Sequence, residues 1–230
     1  MRFSGFQKLT LLDYPGLVAC TLFTQGCNFR CPFCHNAPLV LGPPDDAFSD
    51  EDILSYLEKR KGLLEGVVVS GGEPLLHPDL ESFLCRVKDL GYKIKLDTNG
   101  TQPDYLEHLI GQGLVDKVAM DIKNSPALYS KTAGISAPDM ARISRSKDLL
   151  LQGQVEYEFR TTVVKGLHTK NSLYDAALWI QGAKEYYLQG FVDHGALIDP
   201  AGLGPFSHEE MQQLLQTVQS VIPSAAIRGL

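Results

Sequence analysis

Short apolar runs alternate along the chain with longer stretches in which apolar residues recur every three or four positions. The runs LVACTLFT (17–24), EGVVVS (65–70), YKIKLD (92–97), DKVAMD (116–121), VEYEFRTTVV (155–164) and EYYLQGF (185–191) predict strands. The intervening patterns predict helices over 49–64, 77–91, 103–113, 137–153, 171–183 and 207–221. Ser49, Asn171 and Ser207 stand where a side-chain oxygen can accept from the unpaired N–H groups of a first turn, and Gly91 and Gly153 stand where helices end. The strands read as near-continuous apolar runs, which suits a parallel sheet covered on both faces. About six strand–helix units fall two short of the eight that close a barrel. The expected fold is therefore α/β: a partial, laterally open (β/α)6 TIM-like barrel with parallel strands. Residues 42–50 are the most loop-like stretch; no repeat or linker interrupts the pattern, so 1–230 reads as a single domain.

In such folds the polar groups that act on ligands gather at the carboxyl ends of the strands. The first predicted strand runs into Cys27, Cys31 and Cys34, and the second into Ser70, Gly71, Gly72 and Glu73. The third ends at Asp97 and Thr98, the fourth at Asp121 with Lys123 just beyond, the fifth carries Arg160, and His194 follows the sixth. Six successive strands thus aim ligating or charged groups at one rim.

Composition narrows the chemistry. The chain has 230 residues, 44% hydrophobic and 21% charged, as in an ordinary globular protein. Its formal net charge of -6 argues against a nucleic-acid-binding surface, and no apolar run is long enough for a membrane helix. With no apolar signal core at the N-terminus, the expected setting is the cytoplasm, where thiols stay reduced. Three of the 5 cysteines lie within CNFRCPFC (27–34), and clustered cysteines in that compartment favour a metal, a cluster or redox chemistry. Two sites remain open on spacing. One is a 4Fe–4S cluster whose fourth iron has no protein ligand and can take a small molecule, the arrangement that spacing favours. The other is zinc with a fourth ligand elsewhere, such as His35 or Cys85. Cys20 reads as core, Cys85 as a buried free cysteine on a helix's apolar face, and His35 as an exposed helix-start residue. The single tryptophan, Trp179, reads as helix-face core.

CNFRCPFC, with Phe33 in the aromatic slot, resembles the CxxxCxΦC signature of the radical S-adenosylmethionine (radical SAM) enzymes. GFQKLTLLDYPG, FTQGCNFRCPFCHN, SGGEPLL, LDTNG and MDIK, in that order, resemble the activating enzymes of glycyl-radical proteins. The similarity is greatest to activators of anaerobic ribonucleoside-triphosphate reductase, then to those of pyruvate formate-lyase. The resemblance implies an oxidoreductase with one 4Fe–4S cluster per chain, held by Cys27, Cys31 and Cys34, with S-adenosylmethionine on its open iron. Reductive cleavage would give methionine and a 5'-deoxyadenosyl radical that takes hydrogen from a glycine of a partner enzyme. Around the cofactor the resemblance implies Phe33 near the adenine, Gly71 and Gly72 giving the methionine end close backbone approach, and Glu73 on its ammonium. Asp97, Thr98 and Asp121 would serve the ribose or carboxylate region, and the acidic positions can also hold a monovalent cation. Lys123 and Arg160 would balance the substrate carboxylate, and His194 would contact S-adenosylmethionine. Physical alternatives stand beside these roles: a turn carboxylate for Glu73, and an internal salt-bridge network for Lys123 and Arg160. The implied partners are the glycyl-radical enzyme and a flavodoxin- or ferredoxin-type reductant, with no nucleic acid and no membrane. Two rival functions are a radical SAM enzyme on a small molecule, like 7-carboxy-7-deazaguanine synthase, and a zinc or iron–sulfur binding module without turnover.

Overall fold

The computed structural model describes residues 1–43, 47–193, 195 and 197–229. A short strand β1 (Arg2–Phe3) leads into β2 (Gly5–Thr10), which turns back through residues 11–18 into β3 (Ala19–Thr24). The cysteine loop, α1 (Ala37–Leu41) and the short β4 (Phe48–Ser49) follow. Then come α2 (Asp50–Glu58), β5 (Gly66–Gly71), α3 (Leu80–Asp89), β6 (Lys93–Thr98), α4 (Pro103–Gly111) and β7 (Lys117–Asp121). The chain continues with α5 (Tyr129–Ala133), α6 (Met140–Leu151), β8 (Glu156–Val163), α7 (Lys170–Trp179), β9 (Tyr186–Gly190), α8 (His208–Gln219) and β10 (Ala226–Arg228). The main sheet has the order β10-β9-β8-β7-β6-β5-β3-β2, and among the described residues its end strands do not pair, so the barrel is open.

All six expected strands are present, each within two residues of its expected bounds, and they are mutually parallel. Two further strands extend the sheet: β10, parallel to β9, and β2, antiparallel to β3. Four of the six expected strand–helix units hold one main helix, whereas the unit after β7 holds both α5 and α6, and α1 precedes the first expected helix. Helix caps follow side-chain chemistry. Ser49 and Ser207 each close a capping box with an acidic residue three positions on, Asp52 and Glu210, which satisfies two first-turn donors reciprocally. The third cap is Thr169 with Ser172, and Asn171 lies inside α7 instead.

The sheet's two faces differ. Against the helices pack Leu22, Val67, Val69, Ile94, Leu96, Val118, Met120, Phe159 and Leu188 with the apolar helix stripes. Full burial of each such side chain stabilises by roughly 1.5–3 kcal/mol. The opposite, concave face carries Lys95, Asp97, Lys117, Asp121, Glu158 and Arg160, with a small apolar group of Tyr14, Ala19 and Val68. The expected continuous apolar runs are therefore alternating runs buried on both sides, one face apolar and the other ionic. Cys20 is fully buried as expected, whereas Cys85 is exposed. The buried stripe of α3 is Leu80, Phe83, Leu84 and Val87, and Cys85 lies one residue, about 100° of rotation, away from it. Trp179 is half-buried edge-on to Tyr129 at 5.8 Å.

Candidate active site

The carboxyl ends of β3, β5, β6, β7 and β8 open into one cavity of about 250 Å³. It is lined by Cys27, Cys31, Phe33, Cys34, Gly71, Gly72, Glu73, Asp97, Thr98, Asp121, Lys123 and Arg160, every site residue expected from the sequence except one. His194 lies outside the described residues. His35 also lines the cavity and is exposed, its ring 5.7 Å from that of Phe191.

The cysteine loop is held from several sides. The Cys34 N–H donates to the Cys31 carbonyl at 3.0 Å, and the Arg30 N–H donates to the Ala133 carbonyl at 2.9 Å, fastening the loop to α5. The Arg30 guanidinium turns back onto the Cys27 and Phe29 carbonyls at 2.6 and 2.8 Å. Burial raises the Cys27 thiol and pushes Cys31 up to about 12. A bound cation reverses that preference, because a coordinating thiol is deprotonated. Among the described residues no three His, Cys, Asp or Glu side chains are grouped to hold a single metal ion. A zinc site needs such convergence, whereas in a cluster each cysteine takes its own iron, and three cysteines on one cavity wall fit that arrangement.

Gly71 and Gly72, which line the cavity, are glycine for a packing reason as well. A Cβ on Gly72 would sit 1.8 Å from the Gly26 carbonyl oxygen; one on Gly71, at φ 109°, would sit 2.3 Å from the Thr24 amide nitrogen. The Thr24–Gly26 backbone itself fills that space, so the pair locks β5 to the start of the cysteine loop. Glu73 is 1% exposed. It accepts from the Thr98 hydroxyl and the Asn99 N–H, both at 2.7 Å, and from the Leu75 N–H at 3.2 Å. Burial outweighs these donors and raises its pKa to about 7. A carboxylate has about four lone-pair positions, so one remains beyond the turn it stabilises. The Thr98 hydroxyl donates to Glu73 and accepts from the Gly100 N–H at 3.1 Å.

The charged rim is an interlocked network. Asp121 and Arg160 stand opposite each other in the β7–β8 register. Arg160 donates through Nε to Asp121 Oδ1 at 3.2 Å and through Nη1 to Asp97 Oδ2 at 3.2 Å. Lys123 Nζ donates to Asp121 Oδ2 at 2.9 Å and lies 5.9 Å from the Phe33 ring centroid. These cations outweigh burial and hold Asp121 down to about 2, and the carboxylates raise Lys123 and Arg160. The internal network that the sequence offered as an alternative for Lys123 and Arg160 is thus present, and it faces the cavity.

Sequence reasoning missed His168, a buried residue at the rim's base. Its Nδ1 accepts from the Val164 N–H at 3.0 Å, which makes Nε2 the donor to the Lys123 carbonyl at 2.8 Å. Ser70 and Asn99 also line the cavity. Ser70 stands at the end of an expected strand and Asn99 just past one, and neither carries a charge to single it out.

Comparison with known proteins agrees with this geometry. A profile of the radical SAM superfamily matches residues 21–143. A Methanocaldococcus jannaschii protein provisionally named a glycyl-radical enzyme activating enzyme is 30% identical over 99% of this chain and 95% of its own length. The chain belongs to the radical SAM superfamily. The pyruvate formate-lyase-activating enzyme of Staphylococcus aureus is 37% identical over 51% of this chain, a match that spans 51% of that enzyme. Among solved structures, Streptococcus suis SuiB bound to S-adenosylmethionine superposes with a TM-score of 0.70 at 15% identity, over 90% of this chain and 48% of that one, a likeness of fold. Membership of the superfamily implies a 4Fe–4S cluster and S-adenosylmethionine as cofactors.

Proposed function

We propose that this radical SAM protein activates a glycyl-radical enzyme, with anaerobic ribonucleoside-triphosphate reductase as the partner. The observation that carries the reading is the convergence of Cys27, Cys31 and Cys34 with a rim of paired charges on one cavity of an open barrel. When bound, the cluster and S-adenosylmethionine would supply the chemistry, reductive cleavage of the sulfonium C–S bond that gives methionine and, once hydrogen is taken from a glycine Cα, 5'-deoxyadenosine.

The chain's own residues bind and orient. Cys27, Cys31 and Cys34 hold the cluster, and Phe33 offers an apolar face to the adenine. The methionine end of S-adenosylmethionine is a zwitterion. Glu73, through its remaining lone pair, and Asp121 meet its ammonium, and Lys123 and Arg160 meet its carboxylate, Arg160 as a planar fork. Asp97 serves the ribose. Arg160 and Lys123 already neutralise Asp97 and Asp121, so that pair has little need of a monovalent cation. The open side of the barrel admits a loop of a folded partner. Residues 1–230 would act as one domain in the cytoplasm, fed by a flavodoxin- or ferredoxin-type reductant; no helix among the described residues is long and apolar enough to cross a membrane.

The test is anaerobic. The protein is reconstituted with iron and sulfide, reduced, given S-adenosylmethionine and assayed for methionine and 5'-deoxyadenosine. It is then mixed with the reductase and examined for a glycyl-radical signal. Formation of both products and the radical is expected. Products without a radical on the reductase would redirect the reading to another partner or a small molecule. No product from a verified, reduced cluster, with the reductase present, would sink the enzymatic reading.

A further inference from the structure

Asn99, just beyond β6, is 5% exposed and reaches the cysteine loop. Its Oδ1 accepts from the Thr101 backbone N–H at 3.0 Å and from the Thr101 hydroxyl at 2.7 Å. A backbone N–H can only donate, so the oxygen is fixed and Nδ2 carries both amide hydrogens. Nδ2 donates to Asn28 Oδ1 at 2.8 Å and to Cys27 Sγ at 3.8 Å. Asn28 Nδ2 in turn donates to Thr101 Oγ1 at 2.8 Å, which closes a ring of three side chains. Arg142 on α6 steadies the ring through the Thr101 carbonyl at 2.8 Å, and the Asn99 N–H is tied to Glu73. Cys27 Sγ also accepts from the Phe29 N–H at 3.4 Å.

We propose that Asn99 is a positioning residue that sets the reduction potential of the cluster by holding an amide N–H against the Cys27 sulfur. The inference rests on the cluster occupying Cys27, Cys31 and Cys34. Hydrogen bonds to the sulfurs are among the levers that set cluster potentials. An N–H dipole stabilises negative charge on sulfur, and the reduced cluster carries one more electron, so the bond favours the reduced state. In a buried site the effect is larger than at a surface, because little water competes for the dipole. The ring and Arg142 keep the amide from turning away, as outer partners do for metal ligands generally. Asn99 thus brings the cluster's electron within reach of a mild reductant. A purely structural Asx turn over Asn99–Thr101 would leave the potential untouched.

The deciding measurement is an anaerobic redox titration of the cluster, followed by electron paramagnetic resonance, with iron and sulfide determined on the same samples. Asn99→Ala with a full cluster is expected at a more negative midpoint potential than wild type. Asn99→Leu keeps the volume but loses the N–H without adding charge, and is expected to move the same way. Asn28→Ala leaves Asn99 in place but frees it to turn, and should give a smaller shift of the same sign. An unchanged potential in fully loaded Asn99→Ala overturns the inference; if that variant does not load, the potential of Asn99→Leu decides. Loss of the cluster from both, with the circular dichroism spectrum kept, would make Asn99 a loop-holding residue and also overturn it. Wild-type protein that takes up no iron and sulfide would defeat the cluster reading itself, independently of Asn99.

Discussion

Two groups of charges share the concave face of the sheet, and the chain completes one and leaves the other unfinished. In the lower group Glu158, 0% exposed, is surrounded by cations. Arg228 on the terminal strand forks onto its two oxygens at 2.9 and 3.1 Å, Lys95 reaches Oε1 at 3.3 Å, and Lys117 stands 3.5 Å from Oε2. Both oxygens of that carboxylate are hydrogen-bonded, and each of these cations faces it. In the upper group carboxylates and cations alternate: Asp97, Arg160, Asp121, Lys123. Here Asp97 Oδ1 has no hydrogen-bond partner among the described residues, and Asp121 keeps 30% of its side chain exposed. Lys95 joins the groups, 3.6 Å from Asp97 Oδ1. The same residue types on the same face therefore do different work. A saturated network holds strands together, while one with spare hydrogen-bonding capacity at its open end can take a zwitterionic ligand.

The comparison breaks most visibly at Glu158. Glu158→Ala leaves Lys95 and Arg228 without their shared carboxylate, and removing one partner from a buried ion pair costs about 3–5 kcal/mol. Chemical unfolding should show a loss of that order, or failure to fold. Asp121→Asn should act in the opposite sense: stability falls less, while S-adenosylmethionine binding by the reconstituted protein weakens tenfold or more, as read by calorimetry. Equal loss of stability in the two variants would abolish the distinction between the groups.

The pH dependence of folding sharpens it. Glu158 and Asp121 are both held down to about 2, so each contributes stability that is present above its unfolded value and lost as pH falls toward 2, from about 4.5 for Glu158 and about 3.8 for Asp121. Glu73 has the opposite sign. Its pKa, about 7 in the fold, lies above its unfolded value, so the native state holds the extra proton and stability declines as pH rises from about 4.5 to 7. Denaturation midpoints across that window should fall in wild type and flatten in Glu73→Gln. The smallest expected effect is Arg228→Lys, which keeps the charge but loses one arm of the fork. About 1 kcal/mol should go, and measured binding of S-adenosylmethionine should not change.

How much of this was legible in the sequence depends on the range of the interaction. The six parallel strands could be read because each is an apolar run bounded by turn residues. The terminal strand could not: AIR is three residues, and its anchor is Glu158, 70 positions away. The N-terminal GFQKLT is a strand only because β3 pairs with it. The caps at Ser49 and Ser207 are local and legible as N-caps, though not as full capping boxes; the Thr169 box pairs two hydroxyl residues, a weaker signal than a carboxylate. Cys85 was misplaced by a single step around a helix. At the site, the residue types at strand ends identified the rim, but not that Glu73 spends itself on Thr98 and Asn99, nor that Lys95 and Glu158 lie beneath Asp97 on the same face. Those facts follow from strand register, which no single segment carries.

An unclosed sheet also leaves two rows of backbone groups that another strand could join, a standing invitation to aggregate. Here both borders are finished by side chains. At one, β2 is interrupted by a register shift between Gln7 and Thr10, the Lys8 carbonyl accepts from the Tyr56 hydroxyl at 2.9 Å, and the Leu9 carbonyl accepts from Gln7 at 3.1 Å. At the other, β10 offers three residues and ends in the Arg228 guanidinium, stacked 3.7 Å from the Tyr187 ring centroid. Protection of the open edges therefore falls to a few residues remote from any chemistry. Substitutions at Tyr56 or Gln7 should appear first as turbidity on concentration, before any change in turnover.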